Sequence, residues 1–294
     1  MIELVSPSGE QPNPARPVAA PHADGATLAG MKHMFNSALA ATKGSRSYQE
    51  DAAALWPGPA AEAEPFTIEP ENDGLVVVLA DGMGGHAGGA LASRTVCASF
   101  LAGYAQEVAP VRDRLRKGMT SANRAVALEV DANRAMSGMG STLVGVVFGA
   151  DGLEWVSVGD SPLYLWRHGE LALINEDHSL APLLDELARN GRISAEQART
   201  DHRRHMLRSA VTGDEIELVD LAVKPLALLP GDHVVIASDG IHTLDETEIS
   251  RTIAAYAADG PDAVAAALVR AVESIRDPHQ DNFTVVIVRI DPLV

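Results

Sequence analysis

Acidic residues stand at the mouths of several strand-like segments of this chain. Asp81 directly follows the apolar run LVVVLA, Asp239 directly follows HVVIAS, and Asp281 immediately precedes NFTVVIVRI. Glu50 and Asp51 lie in SRSYQED, just before AAALW. Taken singly, an Asp-Gly pair or an acidic doublet is an ordinary turn. Taken together, carboxylates aimed by strand ends into one cleft would repel each other and drive their pKa values upward. A divalent cation removes that cost. All-oxygen ligation by carboxylates, backbone carbonyl and water suits Mg²⁺ or Mn²⁺ and not Zn²⁺, and no CxxC or HExxH spacing competes with it. The glycine-dense DGMGGHAGG lets backbone approach a ligand closely, which brings the Gly82 carbonyl within reach of an ion beside Asp81. The same segment does not read as a nucleotide loop. GxxxxGK[ST] is missing, and GMGGHA departs from GxGxxG with no acid placed to read a ribose.

The elements that must position these groups are legible from periodicity. LVVVLA (75–80) reads as a buried strand. Residues 89–106 and 109–134 read as two helices, each with one apolar face. STLVGVVF, LEWVSVG, PLYLWR and ELALIN are four strand-like runs, and the turn signals GADG and RHGE between them predict antiparallel hairpins. Residues 179–206 are polar, rich in Arg and His, and predicted helical. VDLAVKPLAL and HVVIASDG resume the strand pattern, helices follow near 245–256 and 261–276, and NFTVVIVRI closes as a strand. Strands and helices do not alternate one to one, which argues against a doubly wound parallel sheet. The pattern predicts an α+β fold: a four-layer α-β-β-α sandwich of two mainly antiparallel sheets flanked by helix pairs. Residues 1–38 read as a flexible tail and 39–294 as the folded domain. The acid-rich stretch 57–74 reads as a solvated loop.

Composition bounds the function. The chain has 294 residues, 46% of them hydrophobic, enough for a substantial core. Its formal net charge of −17 repels nucleic acid and anionic membranes. It would repel phosphorylated substrates too, unless positive charge is concentrated locally. No apolar run approaches the roughly 20 residues that span a bilayer, and the N-terminal sequence does not read as a secretory signal. The single cysteine, Cys97, lies in the apolar helical pattern ASRTVCASFLAGY and reads as a small buried hydrophobe, which fits a reducing cytoplasm. No heptad run or interface signature fixes an oligomeric state.

SRSYQED, VVLADGMGGHAGG, GMGSTLVGVVF, VGDSPLYLWRHGEL, LRSAVTG, VVIASDGIHTL and DNFTVVIV occur in that order between about residues 40 and 291. The series resembles the bacterial branch of the PP2C-type (PPM) protein phosphatases. The resemblance implies the same sandwich and two Mn²⁺ or Mg²⁺ ions in the cleft between the sheets. It also implies removal of phosphate from phosphoserine and phosphothreonine in the substrates of a serine/threonine kinase. By that resemblance Asp81 bridges both metals, Gly82 supplies a carbonyl to the first, and Asp239 and Asp281 bind the second. Glu50 and Asp51 match the acidic pair that holds metal-bound waters. Arg46 matches the phosphate-binding arginine, and a guanidinium fork suits two phosphoryl oxygens. The mechanism it implies is in-line attack by water activated between the metals, without a phosphorylated enzyme.

The chain departs from the pattern in places. Ser137 stands where relatives commonly carry an aspartate for a third metal, which predicts a weak or missing third site. Met83 replaces the histidine of the eukaryotic branch, leaving His86 as a substitute acid or a capping residue. Pro162 follows GDS where arginine is usual, while Asp160 and Ser161 are expected to keep a structural role. Residues 181–205 align with a flap, and LARNGRISAEQARTDHRRHM is its basic part, either a patch for guiding a phosphoprotein or a solvated helical surface. Two alternatives to an active protein phosphatase stand: a catalytically weak regulatory or binding module on the same fold, and a hydrolase of small phosphoesters.

Overall fold

The apolar runs are strands buried on both faces, and alternation shows why. In the computed structural model, which describes residues 33–56, 73–85, 87–106 and 109–293, LVVVLA lies in β3 (Asp73–Met83). Leu75, Val77 and Leu79 join one apolar cluster with Val144, Val146, Leu163, Val234, Ile236, Val286 and Val288. Val76, Val78 and Ala80 join another with Phe100, Tyr104, Leu115 and Val126. Successive strand side chains point to opposite faces, so a run apolar at every position needs cover on both. β11 (Phe283–Pro292) repeats the logic. Its Val286, Val288 and Ile290 point between the sheets, while Phe283, Val285 and Ile287 face a third cluster containing Ile249, Ile253, Val264 and Leu268. Each fully buried Val, Leu, Ile or Phe contributes about 1.5–3 kcal/mol relative to exposure.

One sheet runs in the order β1 (His33–Thr42), β11, β10 (His233–Ala237), β7 (Leu163–Arg167) and β8 (Glu170–Leu173). The other runs β2 (Asp51–Trp56), β3, β5 (Leu143–Gly149), β6 (Gly152–Val158) and β9 (Asp220–Leu221), with β4 (Gly140–Ser141) paired to the end of β3. Every strand pairing among the described residues is antiparallel. Helices α1 (Ala87–Ala105) and α2 (Val111–Ala132) cover the outside of the second sheet. α5 (Glu246–Tyr256) and α6 (Pro261–Ile275) cover the first. The four-layer sandwich expected from the sequence is therefore the fold. Among the described residues no helix is long and apolar enough to cross a membrane.

Close packing of α1 and α2 on the second sheet depends on two glycines. A Cβ at Gly145 of β5 would stand 2.2 Å from the Phe100 ring, and one at Gly118 of α2 would stand 2.8 Å from it. The ring of α1 is wedged between two positions that lack side chains.

Three boundaries differ from expectation. The tail was expected to reach residue 38, but His33–Ala38 belong to β1, which pairs with β11 from His33↔Pro292 to Thr42↔Phe283. The rest of that tail, and most of the 57–74 loop, lie outside the described residues. VDLAVKPLAL forms only the two-residue β9 and an isolated Leu153↔Leu226 bridge, because Pro225 cannot donate to a ladder. The 179–206 segment is two short helices, α3 (Ala181–Arg189) and α4 (Ala195–Thr200). They are separated by Gly191, whose φ of +68° ends the first, and by the Ser194–Gln197 capping box that starts the second.

Candidate active site

β2 begins, β3 ends, β10 ends and β11 begins at one end of the sandwich, where the sheets enclose a cleft of about 700 Å³. Arg46, Glu50, Asp81, Gly82, Asp239 and Asp281 all line it. Asp51, the remaining sequence-predicted site residue, lies just behind, 8% exposed, directly opposite Asp81 in the β2–β3 register. The sheets thus bring carboxylates from four separate chain segments to one place.

Hydrogen bonds fix these groups. The Asp81 amide donates to Thr142 Oγ1 (2.9 Å), and its carbonyl accepts from the Thr142 amide (2.9 Å) and Ser141 Oγ (2.8 Å). The Gly82 amide donates to the Glu50 carbonyl (3.2 Å). A Cβ at Gly82 would stand 2.0 Å from the Gly89 carbonyl oxygen, so only glycine lets α1 approach β3 here. Ser238 Oγ donates to Asp51 Oδ2 (2.7 Å) and accepts from the Thr284 amide (2.9 Å), joining the two sheets. Asp281 accepts the Asn282 amide at Oδ1 (2.7 Å) and the Arg46 guanidinium at Oδ2 (2.5 Å).

The electrostatics are those of crowded carboxylates. Burial, opposed by hydrogen bonds from Ser238 and Thr284 and reinforced by Asp239 and Asp281, pushes Asp51 up to about 6. Burial, then Asp51 and Asp239, holds Asp81 well above the usual carboxylate range. Burial and the charge of Asp281 raise Asp239. Burial and Asp239 push Asp160 up to about 8. Glu50 Oε1, Asp51 Oδ1 and Asp239 Oδ1 are buried without a hydrogen-bond partner. Uncompensated buried anionic oxygens are costly, and cations with their waters would satisfy them. Among the described residues no three His, Cys, Asp or Glu side chains are drawn together as a ready-made ion cage, and Asp281 is turned onto Arg46. An oxygen-only set that leaves positions to water fits Mg²⁺ or Mn²⁺, since Mg²⁺ keeps several waters when bound.

Other residues of the site were given only a structural role from sequence or were not singled out at all. Asp160 lines the cleft rather than serving only as a strand-end residue. It follows LEWVSVG as Asp81 follows LVVVLA, so the same strand-mouth signal points to it. Asn282, Ser238 and His205 had no such signal, because their roles arise from contacts between distant segments. Ser161 is buried and hydrogen-bonded to Thr142 (2.8 Å). Pro162 is buried beside the start of β7, and its carbonyl accepts from the Ala237 amide (3.1 Å), a strand-edge place that tolerates proline. Met83 lines the cleft. Ser137 is exposed and is not among the lining residues. His86 lies outside the described residues.

Comparison with known proteins agrees with this architecture. The family model described as Protein phosphatase 2C matches residues 65–273. The serine/threonine protein phosphatase PstP of Mycobacterium tuberculosis is 35% identical over 219 residues, which is 72% of this chain and 40% of that protein. The chain thus spans two fifths of that relative's length. The structure of the PstP catalytic domain in complex with two manganese ions superposes with a TM-score of 0.67 at 27% identity, covering 88% of this chain and 99% of that one. The S. agalactiae serine/threonine phosphatase superposes with a TM-score of 0.71 at 26% identity, covering 87% of this chain and 99% of the other. With the sandwich, the cleft and a family match over most of its length, the chain belongs to the protein phosphatase 2C family.

Proposed function

We propose that the chain hydrolyses phosphoserine and phosphothreonine in proteins, using two divalent cations, Mn²⁺ or Mg²⁺. The observation that carries this reading is the meeting of partnerless buried carboxylate oxygens from both sheets beside Arg46, whose guanidinium is hydrogen-bonded to Asp281. Asp81 and the Gly82 carbonyl, with Asp239 and Asp281, would hold the cations. When bound, the cations supply positive charge against the phosphoryl oxygens and lower the pKa of water. Glu50 and Asp51 orient water by accepting its protons in hydrogen bonds. Arg46 turns from Asp281 to the phosphoryl oxygens and stabilises the charge that builds on them. The thiol of Cys97 has no part, since it is buried and that burial pushes its pKa well above the usual thiol range. A buried free thiol also suits the reducing cytoplasm.

Cations held there would answer the electrostatic objection raised by the net charge, because they would place positive potential where a phosphoprotein must dock. The test is hydrolysis of a phosphothreonine peptide with Mn²⁺, then with EDTA, in the parent protein and in Asp239→Asn. Mn²⁺-dependent turnover that falls at least about 100-fold in the variant supports the reading. Mn²⁺ binding by folded protein without turnover would favour a binding module. Preference for p-nitrophenyl phosphate over phosphopeptide in competition would favour a small-phosphoester hydrolase.

A further inference from the structure

We propose that Asn282 is a positioning residue that fixes the loop bearing Arg46 and Glu50 against Asp281, and so sets the affinity of the site for phosphate. This rests on the reading that Arg46 receives the phosphoryl group. The loop, residues 43–50, carries the chain from β1 in one sheet to β2 in the other and has no strand or helix of its own. A cation used to orient a phosphoryl group needs a fixed place, because misplacement by about 1 Å can cost about 100-fold in rate. Something must therefore hold the loop.

Asn282 spends its hydrogen-bonding capacity there. Its side-chain Nδ2 donates to the carbonyls of Lys43 (3.0 Å) and Tyr48 (2.9 Å), which bracket Arg46. Its Oδ1 accepts the amide of Glu50 (2.7 Å). An amide has two donor hydrogens and one acceptor oxygen, so one side chain grips the start, the middle and the end of the loop. It is 3% exposed. Its own backbone amide donates to Asp281 Oδ1 (2.7 Å), which ties the carboxylate to the same anchor. Backbone contacts add to the clamp. The Ser45 amide and hydroxyl both donate to the Gln280 carbonyl (3.0 and 2.8 Å). Gly44, at φ +57°, lies so near that a Cβ would stand 2.4 Å from the Asp281 carbonyl oxygen. No other side chain contributes three hydrogen bonds to this loop among the described residues.

The test compares Asn282→Ala and Asn282→Ser with the parent. The readouts are the KM for a phosphothreonine peptide, the inhibition constant of inorganic phosphate, Mn²⁺ affinity by calorimetry, and amide hydrogen exchange. The proposal expects phosphate inhibition to weaken by about tenfold or more, with Mn²⁺ affinity much less affected. Exchange should accelerate at residues 45–50 while Phe283–Pro292 stays protected. In an Arg46→Ala background, Asn282→Ala should add nothing further to the phosphate inhibition constant, because the two residues act as one unit. Fully additive losses, an unchanged inhibition constant, or failure of both variants to fold would overturn it. An inactive parent with Mn²⁺ would instead sink the phosphatase reading before any Asn282 variant is compared, and the exchange pattern still reports on the clamp.

Discussion

The hydroxyl of Ser238 links an amide of one sheet to a carboxylate of the other, and its removal takes from Asp51 Oδ2 the donor at 2.7 Å, leaving the hydrogen bond from Thr284. Ser238→Ala is expected to lower stability by about 1–3 kcal/mol and to weaken Mn²⁺ binding about 10–100-fold, measured by denaturant unfolding and calorimetry. Unaltered Mn²⁺ affinity would argue against a role for Asp51 at the metals. A second residue-scale prediction concerns His178. It is buried, its Nδ1 accepts the Gly159 amide (3.2 Å), and burial holds its pKa below the usual 6.5. The folded state therefore keeps it neutral where the unfolded chain takes up a proton. Its contribution to stability is present above pH about 6.5 and is lost as pH falls through the lower folded value. The raised carboxylates act in the opposite sense, so the difference between parent and variant isolates the histidine. In His178→Asn, whose oxygen can replace Nδ1 as acceptor, the loss of stability between pH 7.5 and 5.5 should be smaller, as read from unfolding midpoints. At this scale Asp81, Asp239 and Asp281 were legible because each abuts a strong strand signal. Ser238 and Asn282 were not, because a hydrogen bond across 187 or more positions leaves no local mark.

Among the elements, α1 approaches the second sheet through the Phe100 ring and two glycines. Gly145→Ala should cost about 1–3 kcal/mol by overpacking. Adding Phe100→Leu should recover part of that loss, giving a coupling that thermal unfolding of the two single variants and the double would detect. Uncoupled effects would mean that the ring moves aside freely. β3, β5 and β11 could be read from sequence because a strand covered on both faces is apolar throughout. β1 could not. It lies at a sheet edge, and its HMFNSALAAT mixes small and polar residues, with Asn36, Ala40 and Ala41 at partly or fully exposed places and even a buried position taken by Ser37. Its pairing is supplied by β11, some 250 positions away, and not by its own pattern. The flap likewise read as one polar helical stretch rich in Arg and His, while the break depends on one left-handed residue, Gly191.

For the whole molecule, a net charge of −17 and a cluster of buried acids in one cleft predict a stability that depends on counterions. A ligand that binds only the folded form adds about 2.7 kcal/mol at a hundredfold excess over its Kd. Saturating Mn²⁺ should therefore raise Tm by several degrees and EDTA should reverse it, with the increment largely missing in Asp239→Asn. An identical increment in the variant would show that the ions act elsewhere. The ten-residue pairing of β1 with β11 has a practical consequence for anyone who shortens the N-terminus. Beginning the polypeptide at residue 39 would strip most of β1 and leave one side of β11, apolar from Phe283 to Ile290 apart from Thr284 and Arg289, with unsatisfied amides and carbonyls. Such a bare edge recruits strands from other copies. A truncated preparation is expected to form soluble oligomers or precipitate, visible by light scattering, whereas one that begins before His33 should remain dispersed.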